Sequence, residues 1–236
     1  MILDQHLVDI IFNAVKTAHS LSIENIIIDE ESIRGLDENK TVFLLHQGSL
    51  ELPFKSICIT RSSFFLSRMD IAKTQKDFTV EATVDSDSDF VRSLTFKAKK
   101  TKIEYRCGNP LSFEKVPRQL RSTPVCSGKM TPDAVAVLQK GQNAMSAEKI
   151  AITGDKEDQT LTFEMQDVGG DIFSYTLTDK IQPINNEEIQ FSYAYPSKVL
   201  VSLFKMSPDS EFEIGVLGTV KVTVNGLSAY IIPQKR

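Results

Sequence analysis

Residues 221–236 read KVTVNGLSAYIIPQKR. Val222 and Val224 alternate with polar residues. Asn225-Gly226 then supplies two residues that tolerate positive φ, as a two-residue hairpin turn requires, and Leu227, Ala229 and Ile231 resume the alternation. The stretch therefore predicts two antiparallel strands around Asn225-Gly226. It also leaves Tyr230, Ile231, Ile232 and Pro233 as an apolar end followed by two cations, more apolar than a half-solvated strand needs to be.

Working backwards, EFEIGVL (211–217) adds a third strand, and PSKVLVSLFKM (196–206) predicts a helix with Val199, Leu200, Leu203 and Phe204 on one side. Four strands precede it: EKIAITG, TLTFEMQD, DIFSYTLT and EEIQFSYAY. Gly169-Gly170 forms a tight turn between the second and third of these. MTPDAVAVLQKGQNAM (130–145) opens this half as a helix. Thr131 is its N-cap and Pro132 its first residue, although Gly141 sits in its body.

The first half has the same order. LDQHLVDIIFNAVKTAHS predicts a helix with Leu3, Leu7, Ile10, Ile11, Ala14, Val15 and Ala18 on one face. Strands at IENIIIDE, ESIRGLD, TVFLLHQ and ELPFKSICIT follow, then a helix at RSSFFLSRMDIAK with Phe65, Leu66, Met69 and Ala72 inward. Strands at DFTVEATV, FVRSLTFKA and TKIEYRC complete it. Each half thus reads helix, four strands, helix, three strands, with the first helices starting about 128 positions apart. Between the halves, 108–124 holds three prolines and no periodicity, which predicts a connector. The chain is read as α+β and duplicated: domain one over 1–107, the connector over 108–124 and domain two over 125–236.

At 236 residues, with 41% hydrophobic and 25% charged residues, the chain suffices for two cores of ordinary size. No apolar run approaches the roughly 20 residues that span a bilayer, and Asp4 and Asp9 stand where a signal peptide needs cations, so no membrane and a cytoplasmic location are expected. Cys58, Cys107 and Cys126 are odd in number and far apart, which predicts buried reduced thiols rather than a disulfide framework or a zinc site.

Two duplicated α+β halves, a proline-bearing connector and a terminal Tyr-x-x-Pro strand resemble the two-domain DNA sliding clamps of the phage and PCNA kind. GLDENKTVFLL (35–45) is similar to that family's turn of small residue, apolar residue and Asp before an apolar strand. AYIIPQK (229–235) is similar to its Tyr-Leu-Ala-Pro-Lys tail, and the order of elements from MTPDAVAVL onward resembles phage clamps in particular. The resemblance implies antiparallel sheets outside and helices lining one face of a ring. It implies no enzymatic activity and no cofactor. The implied work is to encircle double-stranded DNA without reading sequence, and to tether the replicative DNA polymerase and other clients that dock through short peptide motifs. Six domains per ring imply a homotrimer, placed on DNA by a clamp loader. In the family, clients insert an apolar plug between connector and C-terminal strand, which implies a cleft walled by Leu36, Leu111, Phe113, Val116, Tyr230, Ile231, Ile232 and Pro233. Ile231 or Ile232, on alternating sides of a strand, can equally be core.

The helix faces opposite the apolar stripes carry Gln5, Asp9, Asn13 and Lys16; Arg61, Arg68 and Lys73; Gln139, Lys140 and Asn143; and Lys198, Ser202 and Lys205. Any one of these is an ordinary solvated face. Together, in a chain of net charge −4, they favour a lining that meets phosphates through Lys16, Arg61, Arg68, Lys73, Lys140, Lys198 and Lys205. A monomeric or C-shaped DNA-binding processivity factor and a phage structural or assembly protein remain open on the sequence alone.

Motifs of chemistry fail on inspection. DSDSDF (85–90) spaces carboxylates like a calcium loop, but Phe90 and Phe96 stand where that loop needs Gly and Glu, so a solvated hairpin turn is expected. His6, His19 and His46 lack metal-ligand spacing. No Walker loop, G-x-S-x-G or H-E-x-x-H occurs. Lys97, Lys99, Lys100 and Lys102 crowd into six residues. They read as a nucleic-acid patch, an edge that blocks aggregation, or a soluble hairpin.

Overall fold

The computed structural model describes residues 1–75, 77–113, 116–178, 181–184 and 189–234, without the side chains of residues 47, 112 and 113. The chain divides into two compact units, Met1–Gln119 and Leu120–Arg236.

In the first unit α1 (Gln5–Ser20) is started by Asp4, whose carboxylate accepts from the Leu7 N–H at 2.8 Å. The helix buries Leu7, Val8, Ile11, Ala14, Val15 and Ala18. Leu3 is buried too, but it lies before the helix, in an extended segment. β1 (Ile26–Asp29), β2 (Ser32–Leu36), β3 (Val42–Gln47) and β4 (Ser56–Ile59) follow, then α2 (Ser62–Lys73), β5 (Thr79–Val84), β6 (Val91–Ala98) and β7 (Thr101–Arg106). The expected succession of helix, four strands, helix and three strands is found here. The ladders are antiparallel, in the orders β3-β2-β1-β4 and β5-β6-β7, with one isolated parallel bridge between Ser56 and Phe90.

The second unit holds β8 (Pro124–Lys129), α3 (Pro132–Met145), β9 (Lys149–Asp155), β10 (Thr160–Gln166), β11 (Ile172–Leu177), β12 (Gln182–Pro183), β13 (Phe191–Pro196), α4 (Ser197–Met206), β14 (Glu211–Gly215), β15 (Val220–Val224) and β16 (Leu227–Ile231). Its orders are β11-β10-β9-β13 and β12-β8-β14-β15-β16. Asn225 and Gly226 have φ of 51° and 78°, and Val224 faces Leu227 across the turn they make. Thr131 accepts from the Ala134 N–H, with Pro132 at the first helical position.

The structure adds β8 and the short β12. Met1–Leu3 runs beside β5, with Leu3 N–H on the Val80 carbonyl at 2.8 Å, as β8 runs beside β14. The repeat therefore includes a leading strand, and the expected connector ends where β8 begins. Each unit also places one phenylalanine of its second helix among rings of the strands. Phe65 lies 5.9 Å from Phe96 and 5.3 Å from Tyr105, while Phe204 lies 6.3 Å from Phe163 and 5.5 Å from Phe212, all edge-on.

Three inward-facing assignments change. On α1 Ile10 is half-buried and Val8 is buried instead. On α4 the buried set is Leu200, Val201, Leu203 and Phe204, and Val199 is only half-buried, because the helix turns its Val201 side toward α3. On α2 Leu66 is likewise half-buried, and the small Ser62 takes the inward position instead. Gly141 has a packing reason: a Cβ there would stand 2.5 Å from the Phe173 ring of β11.

Candidate functional site

In the second unit α3 and α4 enclose a groove of about 420 Å³, lined by Gln139, Gln142, Asn143, Ser146, Lys198, Val201, Ser202 and Lys205. Seven positions separate Lys198 from Lys205, which at about 100° per residue sets both on one face of α4. Among the described residues no carboxylate lines the groove. Two ammonium groups with amide and hydroxyl donors around them form a set that accepts anions. Of the cations expected on these helices, Lys198 and Lys205 meet in the groove, whereas Lys140 is exposed outside its lining.

The first unit is built differently. α1 exposes Gln5, Asp9, Asn13 and Lys16, with Gln5 Nε2 donating to Asp9 Oδ1 at 3.0 Å. The α2 cations do not share a face. Arg61, with φ 55° at the N-cap, and Arg68 flank the exposed Phe64 ring, their guanidinium carbons 5.4 and 5.5 Å from its centroid. Arg68 is half-buried, and its Nη1 donates to the Phe64 carbonyl at 2.9 Å. Lys73 lies on the other side, its Nζ 3.3 Å above the Phe12 ring of α1. The expected stripe of three available cations on α2 is thus corrected: aromatic rings hold all three, on two sides of the helix.

The connector side of the first unit carries a feature that periodicity did not disclose. Ile27, Cys58 and Val116 pack as a buried cluster with half-buried Leu36 against it, and Leu111 is 69% exposed. Beside them Arg34, only 6% exposed, sends Nη2 to Asp29 Oδ2 at 2.7 Å and Nη1 to the Val116 carbonyl at 3.1 Å. Among the described residues its Nε has no hydrogen-bond partner. Burial tends to raise the Asp29 pKa, but hydrogen bonds from Ser32 and Arg34 and the guanidinium charge overcome it, so the carboxyl is held below its usual value. A cleft of about 560 Å³ opens next to this pair, walled in part by Asp29, Arg34, Lys55, Phe90, Pro110 and Leu111. The only hint in the sequence was an arginine in the middle of SIRGL.

Among the expected cleft residues the side chain of Phe113 lies outside the described residues, and Val116 is 9% exposed. Tyr230, Ile232 and Pro233 are half-buried. Ile231 is corrected: it is 0% exposed, opposite Val220 in the β15–β16 ladder, and is a core residue with no surface for a ligand. Beyond it the chain is fixed by the Gln234 N–H on the Ala194 carbonyl at 2.8 Å.

The cysteines are free thiols. Burial pushes Cys58 up to about 12 and Cys126 to about 11, and raises Cys107 as well. Among the described residues no group of three or more His, Cys, Asp or Glu could hold a metal ion. Asp85, which opens DSDSDF, instead accepts from Ser88 Oγ and from the N–H groups of Asp87 and Ser88, and pairs with Arg92. Those bonds, the Ser88 hydroxyl first, lower its pKa to about 2.

No family model and no curated protein matches the sequence. Solved structures do match the fold. The Helicobacter pylori beta clamp in complex with 5-chloroisatin superposes with a TM-score of 0.66 at 15% identity, over 97% of this chain and 62% of that one. The same clamp bound to a DNA ligase peptide gives 0.62 at 16% identity, over 97% and 65%. The present chain thus spans less than two thirds of the length of these bacterial clamps. Archaeoglobus fulgidus PCNA, bound to the C-terminal region of FEN-1, gives 0.62 at 15% identity, over 96% of both chains. With helix pairs and antiparallel strands duplicated over nearly its whole length, the chain has a sliding-clamp fold.

Proposed function

We propose that this chain is a DNA sliding clamp, a non-enzymatic tether that encircles duplex DNA and holds a replicative polymerase and other clients to it. One observation carries the DNA part of the reading: the carboxylate-free α3–α4 groove with Lys198 and Lys205, in a chain of net charge −4. Lys140, Lys16, Arg61, Arg68 and Lys73 add to the phosphate-facing set, Arg61, Arg68 and Lys73 as cations already seated on rings. Residues 1–107 and 125–236 act as two clamp domains, with 108–124 linking them.

Assembly follows from the edges. β7 and β11 end their sheets without a ladder partner among the described residues. α2, beside β7, exposes Phe64 and Ile71 at 52% and 51%, while β11 and α3 expose Ile172 and Val137 at 60% and 38%. An unpaired edge with apolar neighbours is an aggregation hazard unless another chain covers it. Pairing β7 of one copy with β11 of the next closes a homotrimer of six domains, which a loader opens onto DNA. Clients such as polymerases dock by short peptides in a cleft walled by Leu36, Leu111, Phe113, Val116, Tyr230, Ile232 and Pro233. Peptide-bound clamps among the similar structures support that mode. A phage chain working in its host's cytoplasm fits this reading, and among the described residues no helix is long and apolar enough to cross a membrane.

The test is charge reversal at Arg68, Lys140, Lys198 and Lys205, together with mass in solution. The parent should have a mass of about 79 kDa, three times the 26.4 kDa chain. The quadruple variant should keep that mass and lose salt-sensitive retention on DNA. Full polymerase stimulation by the variant at moderate salt would exclude the basic lining. A parent monomer would favour the open, C-shaped processivity factor.

A further inference from the structure

Of the four lysines at 97–102, Lys102 lies at the start of the β7 edge proposed for subunit pairing, whereas Lys97, Lys99 and Lys100 belong to none of the surfaces above. β6 and β7 are joined by the two-residue turn Lys99-Lys100, and the register sets Lys97 directly opposite Lys102. Like charges facing one another across a ladder destabilise it. Lys97 is paired with Glu81, and Lys99, Lys100 and Lys102 are exposed without an ion pair among the described residues. Glu104 lies on the same side of β7 as Lys102, so the ladder end sets Glu81 and Glu104 against four lysines and keeps an excess of positive charge in an acidic chain.

We infer that the β6–β7 hairpin tip is a second nucleic-acid contact, taking the phosphodiester backbone outside the helix-lined surface. Three observations select this occupant. The tip offers no apolar anchor, since Ala98 and Thr101 complete it, whereas peptide docking relies on desolvated apolar or aromatic plugs. Lysine ammonium groups on long stems suit phosphates without base readout. The tip also lies at the end of the first unit where α2 finishes: α2 ends at Lys73, a short link leads to Thr79, and Thr79 is the ladder partner of Lys97. A strand of DNA leaving Lys73 would meet the lysine tip next. That continuity rests on the proposed helix lining.

Binding of the full chain to a fluorescein-labelled 30-base-pair duplex, read by anisotropy between 50 and 200 mM KCl, tests the inference. Lys99→Gln/Lys100→Gln should flatten the slope of log affinity against log salt by about 1.8, so that across this range the parent loses about twelvefold more affinity than the variant. Lys99→Glu/Lys100→Glu should weaken binding further, and both variants should melt as the parent does, because the tip is exposed. An unchanged slope overturns the inference, as does an unchanged slope accompanied by lost binding of a poly-glutamate peptide, which would assign the tip to an acidic protein. Lys198→Glu/Lys205→Glu, measured alongside, separates the two readings. If only this helix variant loses DNA, the lining stands and the tip contact fails; if only the tip variants lose it, the reverse holds. If neither does, both fail.

Discussion

Replacing Arg34 with methionine removes a buried guanidinium while filling much of its volume. The exchange leaves Asp29 with its bonds to Ser32 Oγ, at 2.9 Å, and to the Glu31 N–H, at 3.1 Å, but without its cation, and it leaves the Val116 carbonyl without its donor. Breaking a buried pair by removing one partner destabilises by about 3 to 5 kcal/mol. Asp29 keeps two hydrogen bonds and a side chain 17% exposed, so the lower end of that range applies, about 3 kcal/mol. In a chain of this size that lowers Tm by about 6 to 12 °C.

The pH dependence has a definite sign. Asp29 has a folded pKa below its usual 3.8, so its contribution is present above that pH and is lost as pH falls through the folded value. The difference between parent and Arg34→Met should therefore be largest above about pH 4 and shrink below it. Urea unfolding at pH 7 and pH 3, with Asp29→Asn and the double variant completing a cycle, measures this. Replacing both partners should recover at least about 1 kcal/mol relative to the sum of the single changes. If Arg34→Met unfolds within about 0.5 kcal/mol of the parent, or if its deficit does not change with pH, the buried pair does not hold the connector and the reasoning fails.

Gly141→Ala should destabilise by about 1 to 3 kcal/mol, because the Phe173 ring occupies the space a Cβ needs, even though alanine is the better helix former; thermal unfolding reads this, and adding Phe173→Leu should restore part of the loss. Ile231→Ser should lower stability by about 2 to 5 kcal/mol through loss of a core side chain, whereas Ile232→Ser should leave Tm within a few degrees and weaken binding of a client peptide; the reverse pattern would move the cleft wall to Ile231.

What could be read from the sequence was what is local. The spacing of Leu7, Ile11, Ala14 and Ala18, the Thr131-Pro132 start and Asn225-Gly226 each carry their own geometry, and all three features stand in the structure. β8 was missed because PVCSGK combines three residues disfavoured in strands. Its pairing is set from afar: Gly128 is small because a Cβ there would stand 2.5 Å from the Phe212 ring of β14 and 2.6 Å from Ile181. Arg34 was hidden for a related reason. Alternation places it on the outer side of β2 with Ile27 and Cys58, and nothing in SIRGL tells that residues 82 positions later cover that side. The inward side of α4 was off by two residues, Val201 for Val199, since a short apolar helix offers nearly equivalent stripes and the packing partner decides between them.

The duplicated frame also shows which properties a fold transmits and which it leaves to individual residues. Both units repeat the leading strand, the helix pair and the inward phenylalanine, Phe65 and Phe204, because these fill the space between the same layers. The outer helix faces answer to no such constraint. In the second unit Lys198 and Lys205 line the groove with amide and hydroxyl side chains and, among the described residues, no aromatic ring is seated on either. In the first, Arg61, Arg68 and Lys73 already rest on Phe64 and Phe12, so an approaching anion must share each cation with a ring or displace it. Equal architecture therefore carries cations in unequal surroundings. If the chain encircles DNA as proposed, most of the contact should fall on the α3–α4 groove, and the proposed lysine tip of β6–β7 would compensate for the more occupied helix face of the first unit.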